Sequence, residues 1–95
     1  MLFDSSKLPL YGILQSDFLS IIEEIVTDEV TEDEVWTSFI TEHNTRAIRV
    51  IKGFITEEEY DDIADVTYDE DLDKKADITL AELYFTGCFM KEAFF

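Results

Sequence analysis

Basic side chains are scarce in this sequence: seven Lys and Arg stand against 23 Asp and Glu, a formal net charge of −16. A surface with so little positive charge repels phosphate, which argues against direct contact with nucleic acid or an anionic membrane. Cysteine occurs once, at Cys88, so no intramolecular disulfide is available and a reducing compartment, the cytoplasm, is expected. Glycine (three) and proline (one) are too few for a flexible linker, and a 95-residue chain is expected to form a single domain over residues 1–95. Long apolar runs are missing as well, so no segment is expected to span a membrane. Residues 1–7 lack the basic stretch and apolar run of a signal peptide.

Aromatic residues are not scarce. They make up 14% of a chain that is 46% hydrophobic, which excludes a disordered acidic tail. A domain of this size buries roughly 60–65% of its unfolded surface, enough for one modest core.

The apolar spacing is that of helices. Ser16 and Asp17 suit a helix start before Phe18, Ile21, Ile22, Ile25 and Val26, with a stop near Asp28. Thr31 with Glu34, Thr56 with Glu59 and Thr79 with Glu82 have capping-box spacing. Asn44 reads as the end of the second helix. Residues 46–52 read as a further helix closed by Gly53, although their β-branched content leaves a strand as the alternative. Leu8 to Leu14 reads as an irregular arm or a short strand. The expected fold is therefore mainly α, a compact bundle of four to five short helices, with α+β as the alternative. The C-terminal helix, expected to run to Phe94, carries Leu80, Leu83, Tyr84, Gly87, Cys88 and Phe94 on one side and Phe85 and Phe89 on the other, so Phe85 and Phe89 are candidates for a homodimer interface.

The acids are clustered. Seven of the twelve residues from Glu23 to Glu34 are acidic, and ten of the seventeen from Glu57 to Asp73, with no base in either stretch. Written as continuous helix, the second stretch would carry one charge per roughly 2.5 Å of axis, against one per roughly 1.7 Å in duplex DNA. Acids in first turns stabilise the helix dipole, but that accounts for Glu57, Glu58 and Glu59 and not for those beyond one turn. Solubility alone asks for a net charge of only about 2 to 8 in a small domain. The candidate partner-binding residues are Glu23, Glu24, Asp28, Glu57, Glu58, Asp61, Asp62, Asp65, Asp69, Glu70, Asp71 and Asp73, with Trp36, Tyr60 and Tyr68 as aromatic anchors.

In size and charge the chain resembles the small DNA-mimic inhibitors encoded by phages and mobile elements, among them anti-restriction and anti-CRISPR proteins. The resemblance is one of composition, because those proteins share no fold or motif. It implies a stoichiometric inhibitor in the cytoplasm of a host cell, occupying the basic DNA- or RNA-binding cleft of a nuclease, CRISPR effector, repair or DNA-packaging protein. The alternative from another class is a small acidic assembly module whose contact surface is the aromatic C-terminal helix.

Two short resemblances compete. Residues 71–82 resemble an EF-hand loop through Asp71, Asp73, Ile78 and Glu82, but Lys75 and Ala76 stand where an oxygen ligand and the turn glycine belong. Gln15-Ser16-Asp17-Phe18-Leu19 resembles the peptide with which bacterial replication proteins grip the sliding clamp, although the same residues fit a helix start. His43 is the single histidine, Cys88 reads as an inert core thiol, and no phosphate loop or nucleophile constellation is present. Neither enzymatic activity nor a cofactor or metal is expected. Arg46, Arg49 and Lys52, at helical spacing, are expected to lie against an acidic segment.

Overall fold

The computed structural model describes residues 1–65 and 72–94, and among these every regular element is helical. Two 3-10 helices, Ser5–Tyr11 and Gln15–Phe18, lead into α1 (Leu19–Ile25), α2 (Glu32–Phe54), α3 (Glu57–Ala64) and α4 (Leu72–Phe94). The fold is mainly α. The α+β alternative falls away, because residues 46–52 are helical and no strand occurs among the described residues.

The N-terminal arm is not a strand: Ser5–Tyr11 is 3-10 helix, and only residues 12–14 of the Leu8 to Leu14 span are irregular. Asp4 caps it by accepting the Ser6 N–H at 2.9 Å, which holds the Asp4 carboxyl below the usual carboxylate range. Pro9 supplies a pre-set helical φ. Gly12, at φ 77°, ends the element by donating its N–H to the Leu8 and Pro9 carbonyls, a conformation that costs a residue with a Cβ dearly. Residues Gln15 to Phe18 are likewise 3-10, so α1 starts at Leu19 and Ser16 does not cap it.

α2 opens on the expected capping box. The Glu34 N–H donates to Thr31 Oγ1 at 3.2 Å, and the Thr31 N–H donates to Glu34 Oε2 at 3.4 Å. The helix does not stop at Asn44 but runs on to Phe54. Asn44 disfavours helices because its amide competes for the backbone. Here that amide is buried and donates to α4, so it no longer competes.

Gly53 is accordingly inside α2 and not a left-handed cap; Gly12 is the positive-φ glycine among the described residues. A Cβ at Gly53 would meet nothing within 4 Å. Gly53→Ala is therefore expected to stabilise the fold by about 0.5–1 kcal/mol, read from the urea midpoint. A left-handed cap at that position would give a loss instead.

Thr56 caps α3 through the Glu59 N–H at 3.1 Å. α4 starts at Leu72, seven residues before the Thr79 start that capping-box spacing suggested. The core gathers Phe3, Leu8 and Ile13 of the arm, Phe18, Ile22, Val35, Phe39 and Ile40, and Leu83 and Met90 of α4. Trp36 packs on Phe18 with ring centroids 5.4 Å apart. α2 and α4, of 23 residues each, lie along one another and set the length of a molecule measuring 46 × 25 × 23 Å. The two acidic stretches are thereby set apart. One surrounds the start of α2, and the other begins on α3 beside its C-terminal half.

Candidate functional site

Every candidate acid among the described residues is exposed. Glu23 and Glu24 lie on α1, Asp28 in the α1–α2 connection, Glu57, Glu58, Asp61 and Asp62 on α3, Asp65 at its C-terminus, and Asp73 in the first turn of α4. Asp69, Glu70, Asp71 and Tyr68 lie outside the described residues. The stretch from Glu57 to Asp73 is not one continuous helix, since α3 ends at Ala64 and α4 begins at Leu72. The charge density survives the interruption. α3 carries five acids in eight residues, one per roughly 2.4 Å of axis at the standard helical rise.

The small number of cations does little to offset this surface. Lys52 reaches Glu57 Oε1 at 3.5 Å and lies 5.1 Å from the Tyr60 ring. Arg46 does not face an acidic segment; its guanidinium sits 4.1 Å over the Phe89 ring. Arg49 is exposed beside it on α2. Phe85 and Phe89 stack on each other at 6.2 Å and are half-buried, so among the described side chains of α4 the large apolar ones open to solvent are Leu80 and Tyr84. Trp36 is half-buried.

A group that sequence spacing misassigned holds the acidic helix in place. Glu82 is not a capping residue: its side chain is fully buried at the junction of the arm, α2, α3 and α4. Its Oε1 accepts from Asn44 Nδ2 at 2.5 Å and from the Leu2 N–H at 3.1 Å. Its Oε2 accepts from the Tyr60 hydroxyl at 2.7 Å. Thr86, one turn on, donates to the Glu82 carbonyl at 2.7 Å. Every buried side-chain polar atom among the described residues has a partner. Tyr60 is thus a core residue and not a surface anchor, and it ties α3 to α4.

Burial, with the hydrogen bond to Glu82 second, pushes the Tyr60 phenol well above its ordinary value. The sign follows from linkage. An unfolded tyrosine ionises near pH 10, whereas the folded one keeps its proton to higher pH, so stability is intact below that value and falls above it. Tyr60→Phe is expected to remove this part of the alkaline decline, measured as the difference between the two proteins' stability from pH 8 to about 11. An unchanged alkaline profile would show that the phenol is not held in this buried, hydrogen-bonded position.

Other sequence features resolve quickly. Residues 72–82 are continuous helix and Glu82 is committed to Asn44, Tyr60 and Leu2, a conformation incompatible with an EF-hand loop. Among the described residues no cluster of His, Cys, Asp and Glu is arranged to hold a metal ion. Phe18 of the clamp-like pentapeptide is only 1% exposed and serves the core, so it is not displayed to a clamp. His43 is a buried mid-helix residue and not a terminal one. Cys88, expected in the core, is exposed. No helix among the described residues is long and apolar enough to cross a membrane.

No protein-family model matches the chain, no curated protein is similar to it at a significant level, and no solved structure matches its fold. The class is therefore the one that fold and surface define: a small, strongly acidic helical bundle.

Proposed function

We propose that this chain is a non-catalytic, stoichiometric inhibitor that mimics nucleic acid and occupies the basic DNA- or RNA-binding cleft of a partner protein. The observation that carries this reading is α3, a short helix with five acids in eight residues, all exposed, pinned to the bundle by Tyr60 and the buried Glu82. A fixed row of carboxylates offers a basic cleft the charge spacing of a phosphate backbone without its condensed counterions. The stretch from Glu23 to Glu34, around the start of α2, would extend the contact along the cleft. Partners of this kind include a nuclease, a CRISPR effector, a repair enzyme or a DNA-packaging protein in a host cell's cytoplasm, and the chain itself would not touch nucleic acid.

The test is to pass lysate over the immobilised chain, elute with a salt gradient and challenge the retained protein with duplex DNA. Recovery of a nucleic-acid-binding protein that DNA displaces and that elutes at moderate salt is the expected result. A retained protein that is itself acidic and survives high salt would overturn the reading. It would favour the assembly-module alternative, for which the exposed Leu80 and Tyr84 of α4 speak.

A further inference from the structure

The exposed side of α4 has a charge order that no hydrogen bond or ion pair among the described residues uses. Asp73, Asp77, Leu80, Tyr84 and Lys91 are spaced four, three, four and seven residues apart, and all are exposed. That is a heptad seam, which keeps its members on one side of a helix. Leu80 is 41% exposed and Tyr84 54%, with Tyr11 flanking Tyr84 edge-on at 5.7 Å. Gly87, which would also fall on the seam, is covered by Ile13: a Cβ there would meet Ile13 Cδ1 at 3.0 Å. The seam is acidic at its N-terminal end, apolar in the middle and basic at its C-terminal end.

We propose that this seam is the contact of a two-fold dimer in which α4 of one copy lies antiparallel to α4 of a second. A two-fold interface must be self-complementary, each residue meeting a partner that it meets in return. The antiparallel register that sets Leu80 against the second copy's Tyr84 also brings each Lys91 to the Asp73–Asp77 end of the other helix. A parallel pair would instead oppose like charges at both ends. In this register Asp77 comes opposite Gly87, where Ile13 covers the seam, so the close apolar contact is confined to Leu80 and Tyr84.

The seam also carries less self-repulsion than α3, holding two acids and one base where α3 holds five acids and no base. α3 lies on the other side of α4. Tyr60 reaches it at Glu82, and Lys75 donates to the Ala64 carbonyl at 3.3 Å; Glu82 and Lys75 both sit about half a turn away from Leu80 and Tyr84. The pair therefore leaves both α3 surfaces open, and it stands whether or not those surfaces mimic nucleic acid.

Sedimentation of the full chain at 10 to 100 μM in 0.15 M salt, roughly where exposed charges are screened beyond 8 Å, is expected to show a monomer–dimer equilibrium. Lys91→Glu should weaken the dimer at least about tenfold, and adding Asp73→Lys and Asp77→Lys should restore it. A nitroxide at position 92 (Glu92→Cys in a Cys88→Ser background) should report a backbone separation of about 30 Å in the antiparallel pair, against about 10 Å in a parallel one. A chain that stays monomeric, a dimer indifferent to Lys91→Glu, or labels near 10 Å would each overturn the assignment.

Discussion

Replacing Glu58, Asp61, Asp62 and Asp65 together by Lys is expected to abolish binding to the basic partner, a loss of at least roughly a thousandfold in affinity. These four side chains are exposed, and none makes a side-chain hydrogen bond or ion pair with another described residue. Glu57 is spared because it pairs with Lys52. Glu59 is spared because its carboxylate lies in the first turn of α3, where it favours the helix N-terminus. The reversal changes the local charge by eight units, so every attraction to a basic cleft becomes a repulsion. Close charge pairs across an interface have measured couplings of about 1.5–7 kcal/mol, so even the lower figure over several contacts exceeds the expected loss. Neutralisation to Gln and Asn should fall between wild type and reversal. The unmodified chain should lose affinity steadily as salt rises. Undiminished binding by the reversed, folded chain would show that α3 is not the contact.

Glu82→Ala is expected to destabilise the fold by about 3–5 kcal/mol, because it orphans buried donors and leaves a cavity. The Asn44 amide, the Leu2 N–H and the Tyr60 hydroxyl would all lose their acceptor. A domain with a total stability of about 5–15 kcal/mol has little room for such a loss. Glu82→Gln should be far milder, within about 1–2 kcal/mol. Its Oε1 keeps the bonds from Asn44 and Leu2, and its amide can donate to the Tyr60 oxygen, which has an acceptor lone pair free. Urea unfolding of the three proteins measures both effects. An Ala variant as stable as the Gln variant would mean that hydrogen bonding to Glu82 does not join these segments.

The helical class was legible because apolar spacing and caps at Thr31 and Thr56 are local signals, and both caps form. What failed was local chemistry overridden by tertiary contacts. Asn44 carries a stop signal by propensity, yet it lies inside α2 because its amide is satisfied from α4. Thr79 and Glu82 have capping-box spacing, yet α4 begins at Leu72 and the carboxylate turns inward. The signal for Glu82 was present: once the helix is drawn from Leu72, Glu82 falls on the same side as Leu83, Thr86 and Met90. The Ser5–Tyr11 arm was obscure for a different reason, since 3-10 helix has no apolar period that distinguishes it over seven residues. The acidic surface was the most readable feature, because side chains of this charge stay at the surface unless paired.

The most direct test is competition. Labelled duplex DNA bound to the partner protein is titrated with this chain, and complexes are resolved by size at moderate salt. Mutually exclusive binding, with DNA displaced one complex at a time and no species containing all three, is the outcome that nucleic-acid mimicry predicts. A stable ternary complex of partner, DNA and this chain would contradict it.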